Sequence, residues 1–494
     1  MWRRFVAVAG IVALGAVLLA AGAQQDPTPV GDEAATARRM AAIRSQPLLL
    51  KVFLHDLPKG GDLHNHLSGA VYAESFLRWA ADDNLCLIVA TMSLAGGSCD
   101  NDGRPTAASV LQTPALYNQA IDAMSMRNWD PALNGHDHFF AAFTKFGPPG
   151  TKTGDMLAEV TARAAAEHVS YLELMLTPVT GATTTQFARD ARWNPNLAQL
   201  RDRLLSAGFR ATIFDEARRR LKAAEDRRRE VLRCGSGQED RGCGVEVRYI
   251  AQAGRTVVPE QVFAQMLAGF ELAAEKQSGI VGLNLVQPED DPTAVRDFGL
   301  HMSMLHFLHG QYPNVPITLH AGELTEGLVP PEALTSHIRQ SVETGHAQRI
   351  GHGVDVMSED DPFGLLRSLA ARRVMIEAAL TSNDVILGVK GARHPLRLYL
   401  QYGVPVALVT DDAGVSRSTH SAEFQKAVEE HNLDYPTLKQ LARNSLRYAF
   451  VEAATKTRLQ GDLERAFRAF ERQQTTPPRP AVDVPERGGG DRAR

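Results

Sequence analysis

The residues best suited to chemistry fall in four short stretches. His64 and His66 stand in DLHNHLSGA (residues 62–70), His320 and Glu323 in LHAGE, His352 in RIGHG, and Asp411 with Asp412 in LVTDD. Imidazoles and carboxylates bind divalent metals and move protons near neutral pH. Each stretch closes an apolar, strand-like run. Alternate residues of a strand share a face, so the H-x-H spacing lets His64 and His66 reach one ion while Asn65 points away. Adding His320 and Asp411 gives three imidazoles and one carboxylate. That set suits a single zinc ion with a position left for water, whose pKa falls towards neutrality on the metal. Glu323, His352 and Asp412 remain as non-ligand acids or bases.

Such residues must be positioned by a scaffold that gathers strand ends. Eight strand-like runs alternate with amphipathic helical patterns: GGDLHNHL, VSYLELMLTP, VEVRYIAQA, GIVGLNLVQ, PITLHAGE, QRIGHGV, RRVMIEAAL and VPVALVTDD. Alternation of this kind implies βαβ units, and eight of them make a (β/α)₈ TIM barrel. Barrel enzymes carry their sites at the C-terminal ends of the strands, where all four stretches fall. No Gly-rich dinucleotide turn follows the first run. The fourth run lacks the lysine that could bridge two metals, which favours one ion. The motifs H-x-E with P-C-x-x-C, H-E-x-x-H, the P-loop and G-x-S-x-G are absent.

The 494 residues carry a net charge of −4, with 44% hydrophobic and 22% charged side chains, so a large core can form and no nucleic-acid footprint is present. Residues 1–23 read as a secretory signal: Arg3 and Arg4, an apolar stretch over 5–20, then Ala21-Gly22-Ala23. The expectation is an exported, periplasmic or secreted protein with no membrane span after cleavage. Residues 24–57 form a lead with one helix, 58–472 the barrel, and the Pro- and Gly-rich 473–494 a disordered tail. An insertion at about 84–150 follows the first strand and covers the barrel mouth. Export favours disulfides for the local pairs Cys86–Cys99 and Cys234–Cys243 over four reduced thiols.

Other candidates read more plainly. His136 and His138 in GHDHFF precede a helical pattern and suit a helix start or the mouth lining better than a metal. His301, His306 and His309 sit in a helical Met/Leu pattern and read as packing. The basic run of FDEARRRLKAAEDRRREVLR is interleaved with acids and reads as a solvated face. His394 and Asn383 read as structural or supporting residues.

Taken together, PKGGDLHNHLSGA, YLELMLTP, LHAGE, RIGHG, LTSN at 380–383 and TDD, in this order, resemble the adenosine deaminase family of the amidohydrolase superfamily. The resemblance runs over about 58–450, and export with the insertion looks more like the secreted, growth-factor-related members. It implies that His64, His66, His320 and Asp411 hold one Zn²⁺. It implies further that Glu323 protonates purine N1 as hydroxide adds at C6, that His352 orients the attacking hydroxide, and that Asp412 hydrogen-bonds N7. Two positions depart from the family pattern. Ser68 stands where an acidic residue commonly reaches the ribose, and Leu285-Val286-Gln287-Pro288-Glu289 replaces an L-A-G-D-E-like stretch. Ser68 and Gln287 are the expected substrate contacts.

The activity implied is zinc-dependent deamination of adenosine or a related 6-aminopurine nucleoside. Two alternatives stand beside it: a hydrolase for another aminopurine or a modified nucleoside, and a non-catalytic extracellular binding or signalling protein on the same barrel. The expected partner is a small-molecule purine nucleoside, not nucleic acid or membrane; a homodimer is left open.

Overall fold

The computed structural model describes residues 31–100, 103–132 and 134–475. Eight parallel strands form in chain order: β1 (Gly60–His66), β2 (Val169–Leu176), β3 (Glu246–Gly254), β4 (Ile280–Val286), β5 (Thr318–Ala321), β6 (Arg349–His352), β7 (Met375–Ala378) and β8 (Val406–Leu408). They pair in sequence, β1 to β4 in one sheet and β5 to β8 in another. Isolated parallel bridges, Leu283 with Ile317 and Asn65 with Asp411, join the two sheets at both edges. The result is the (β/α)₈ barrel that the alternation implies.

The strands lack simple polar/apolar alternation because both faces are covered. Outward residues meet helices such as Pro259–Ala274, whose Phe263, Leu267 and Phe270 are fully buried. Inside the barrel one ionic cluster ties three strands together. Arg349 pairs with Glu173 and with Glu377 at 2.6 Å each, and all three are fully buried. A buried charge survives only when paired and hydrogen-bonded. Here the pairing leaves one Glu377 oxygen free to support the site above it.

The stretch after β1 folds as an antiparallel hairpin (Cys86–Ile88 with Ser93–Ala95) and helices Ala107–Leu111, Pro114–Ala123 and Gly135–Phe143. Both expected disulfides are formed, with Cα separations of 5.4 Å for Cys86–Cys99 and 5.7 Å for Cys234–Cys243. The lead holds two helices instead of one, Asp32–Ile43 and Pro47–Asp56, because Pro47 suits a first helical turn. The second packs Phe53 edge-on against Phe470 of the last helix, Ala453–Thr475. That helix extends past the expected start of the tail at 473. The signal segment, and the tail from 476, lie outside the described residues. Among the described residues, no helix is long and apolar enough to cross a membrane.

Candidate metal and proton-transfer site

Each expected ligand sits at a strand end. His64 and His66 close β1, His320 lies in β5, and Asp411 follows β8. Their donor atoms converge: His320 Nε2 lies 3.0 Å from His64 Nε2 and 3.1 Å from His66 Nε2, and Asp411 Oδ1 is 3.4 Å from each of the β1 imidazoles. Ligands bonded at about 2.0–2.2 Å to one tetrahedral ion lie about 3.3–3.6 Å apart. The 3.4 Å spacings match that figure, and the imidazole pairs fall a little short of it. The donors that lie within 4.8 Å of one another are His64, His320, His352 and Asp411, and beside them His66, Asp411 and Asp412.

Proton placement makes the same point independently. His64 Nδ1–H donates to Glu377 Oε2 (2.8 Å), and His320 Nδ1–H donates to Asn284 Oδ1 (2.9 Å). A neutral imidazole that donates through Nδ1 has a lone pair on Nε2. Two such lone pairs facing each other at 3.0 Å need a cation between them, a metal ion or a proton on His64, whose pKa burial lowers but Asp411 and Glu377 raise to about 10. Asp411 Oδ1 is buried without a hydrogen-bond partner, while its other oxygen accepts from Ser382 Oγ (2.7 Å). The residues present fit a metal ion.

The backbone makes room for this convergence. Asp411 (φ 57°), His352 (φ 69°) and Gln287 (φ 82°) all adopt the left-handed region, which non-glycine residues enter only where the surroundings enforce it. Two glycines permit close approach. A Cβ on Gly69 would lie 1.6 Å from Asp412 Oδ1, and one on Gly351 would lie 2.5 Å from His64 Cε1. Asn65 points away from the cluster, as the alternation requires, and its amide donates to Asp62 and Thr410.

The acids beside the cluster are strongly perturbed. Burial first, then the charge of Asp411, pushes the Glu323 carboxyl well above its usual range. The same two causes raise Asp412. Burial works against ionised Asp411 too, but its attraction to His64 and the other surrounding imidazoles holds it well below the carboxylate range. His352, driven down to about 4 chiefly by burial, lies with Nδ1 3.6 Å from Glu323 Oε1. Glu323 is positioned through its backbone: its N–H donates to Glu289 Oε2 (2.9 Å), and Glu289 also accepts from His337.

Ligand atoms, Glu323 and Asp412 open into one cavity of about 340 Å³. Phe139, Phe140 and Phe143 form an apolar side of it, and Ser68, Gln252 and Gln287 add polar groups. The Gln287 side-chain oxygen is held by Thr256. No lysine or arginine lines the cavity among the described residues. His136 bonds Asp290, and His138 bonds the carbonyls of Asp122 and Ser125, so neither joins the cluster. Glu377 and Asn284 were not singled out from sequence, where each gave only a polar residue in an apolar run. Ser382 and Glu289 entered only as members of LTSN and of the Leu285–Glu289 stretch, without a role of their own.

With this geometry in view, the adenosine deaminase family model matches residues 153–466. The chain belongs to the adenosine deaminase family. The adenosine deaminase of Enterococcus faecalis is 30% identical over 195 residues, 39% of this chain and 52% of that protein, so the alignment spans about half of that relative's length. The adenosine deaminase of Vibrio vulnificus is 24% identical over 411 residues, covering 82% of this chain and 97% of its own. Among solved structures, an amidohydrolase from Burkholderia ambifaria with bound Zn superposes with a TM-score of 0.56 at 18% identity, over 86% of this chain and 94% of that one. At that identity the likeness is one of fold.

Proposed function

We propose that this family member is a single-zinc hydrolase that deaminates adenosine or a closely related 6-aminopurine nucleoside. One observation carries the reading: His66, His320 and Asp411 of the metal cluster line one cavity with a proton-holding Glu323 and a second acid, Asp412. When bound, the ion supplies water activated towards hydroxide at neutral pH. The remaining work falls to side chains. Glu323 holds a proton and delivers it to purine N1, which breaks ring aromaticity and makes C6 electrophilic. His352 orients the attacking oxygen. Purine N7 is an acceptor, so Asp412 meets it as a proton donor. The proton of the added C6 hydroxyl then passes to the amine, the C6–N bond breaks to release ammonia, and the oxygen is left as the C6 carbonyl.

The cavity supports a neutral substrate. Among the described residues the walls of this cavity hold no lysine or arginine, and Arg220 lines an adjoining space that shares Ser68 and Gln252. A phosphate within the cavity itself would therefore be a costly unpaired dianion. The phenylalanine side also favours a second reading, a nucleoside carrying an apolar substituent on the exocyclic amine. An exported location is part of the proposal, supported by the N-terminal pattern and by two disulfides, which persist in oxidising compartments. Cell fractionation tests it, and a cytosolic pool would reject it.

The activity is tested by following the ultraviolet spectrum of adenosine, N6-methyladenosine, adenine and AMP with zinc-loaded protein. Glu323→Gln is expected to keep its zinc and lose about 10²–10⁴-fold in kcat, the usual worth of a positioned general acid. Asp411→Ala should lose both zinc and turnover. No spectral change with any of the four purines would reject the reading.

A further inference from the structure

Behind His352 runs a chain of hydrogen bonds in which every proton can be assigned. It starts at a backbone amide: Leu396 N–H donates to His394 Nδ1 (3.1 Å). A backbone N–H can only donate, so His394 Nδ1 carries no proton and the neutral ring holds it on Nε2. Burial keeps that ring neutral, pushing it down to about 3. His394 Nε2–H therefore donates to Asn383 Oδ1 (3.0 Å).

This bond selects one of the two orientations of the Asn383 amide. The flipped amide would set its own N–H against the N–H of His394, donor against donor. In the selected orientation Asn383 Nδ2 faces His352 Nδ1 at 2.9 Å. An amide nitrogen has no lone pair to offer, so His352 Nδ1 must accept. The His352 proton then resides on Nε2, which is buried with no hydrogen-bond partner. The His352 ring lies 5.1 Å, centre to centre, from both His64 and His320.

We propose that His394 and Asn383 are positioning residues that lock His352 as its Nε2–H tautomer, so that this ring presents a donor, not a lone pair, to the reaction centre. The consequence for catalysis rests on the deaminase reading. A fixed donor orients the attacking oxygen through one of its lone pairs and stabilises negative charge there. A base at the same nitrogen would need a free lone pair there, which the Nε2–H tautomer does not have. The relay assigns work to the LTSN stretch and to the histidine of RHPLRLY, neither of which reaches the cavity wall.

The test reads the tautomer directly. Protein labelled with ¹⁵N in its histidine rings is expected to show His352, assigned by its loss in His352→Phe, with the proton on Nε2. Asn383→Asp is nearly isosteric but offers acceptors on both sides, so it should move the His352 proton to Nδ1. With that change kcat should fall about 10²–10⁴-fold, while KM and zinc content stay unchanged. His394→Ala frees the amide and should lose part of kcat. His394→Gln keeps a donor for Asn383 Oδ1 and should recover most of it, which a packing role alone would not produce. A wild-type His352 protonated on Nδ1 overturns the proposal, as does an Asn383→Asp protein with wild-type tautomer and kcat. If Asn383→Asp fails to fold, the wild-type spectrum decides. If no aminopurine is turned over, the deaminase reading falls, while the spectrum still judges the relay.

Discussion

Glu377 shows how much of a candidate metal site depends on residues that supply no ligand. One of its oxygens accepts from His64 Nδ1, the other pairs with Arg349, and Thr318 Oγ1 donates to both. It thereby fixes the His64 tautomer and aims the Nε2 lone pair. Partners of this kind are typically worth 10–100-fold in metal affinity. Glu377→Gln should therefore weaken zinc binding by about that factor in a competition titration with a chelator, and an unchanged affinity would remove Glu377 from this role. The residues that converge here were legible in the sequence because H-x-H and the acidic pair close apolar runs, where position implies direction. Glu377 and Asn284 were not, since a lone polar residue inside VMIEAAL or GIVGLNLVQ has no spacing partner. The cost of burying an unpaired carboxylate was the available signal; which histidine it serves depends on strand order in space.

At the level of elements, the helix Gly135–Phe143 gives the cavity its character. Its N-cap is Asn134, whose side chain accepts from Asp137 N–H. His136 at the same end bonds Asp290, beyond β4, at 2.9 Å. Burial disfavours a charged His136, but hydrogen bonds to Asp290 and Asp137 outweigh it and raise its pKa. The helix is thus held to the loop that carries Gln287 and Pro288, with Phe139, Phe140 and Phe143 facing the cavity. Phe140→Ala should raise KM by roughly tenfold or more, the worth of about 1.5–3 kcal/mol of apolar contact, and leave kcat nearly unchanged. A fall in kcat at constant KM would move Phe140 from substrate binding to catalysis. The helical start in GHDHFFAAF was readable from its residues. That His136 pairs with Asp290 was not, because the two lie 154 positions apart and only barrel closure brings them together.

Across the whole molecule, the closed barrel buries titratable groups well outside the catalytic cavity, and these couple stability to pH. Glu423, on helix His420–His431, is fully buried and accepts from Thr381 N–H (3.0 Å) and Ser418 Oγ (2.8 Å). It thus joins the segment after β7 to the segment after β8. Burial pushes its carboxyl from 4.5 up to about 7. An acid with a raised folded pKa keeps its proton in the native state while the unfolded chain has already released one. Its contribution is therefore fully present below about pH 4.5 and is lost as pH rises through about 7. A shift of this size corresponds to on the order of 3 kcal/mol. Glu423→Gln keeps an oxygen acceptor and cannot ionise, so it should match the wild type near pH 4. By pH 8 it should gain on the wild type by on the order of 3 kcal/mol in denaturant unfolding. A stability difference that stays flat between those pH values would show that Glu423 ionises in the folded protein as freely as in the unfolded chain. In that case the β7–β8 junction would have to hold a charge that its neutral donors and the nearby Lys426 neutralise.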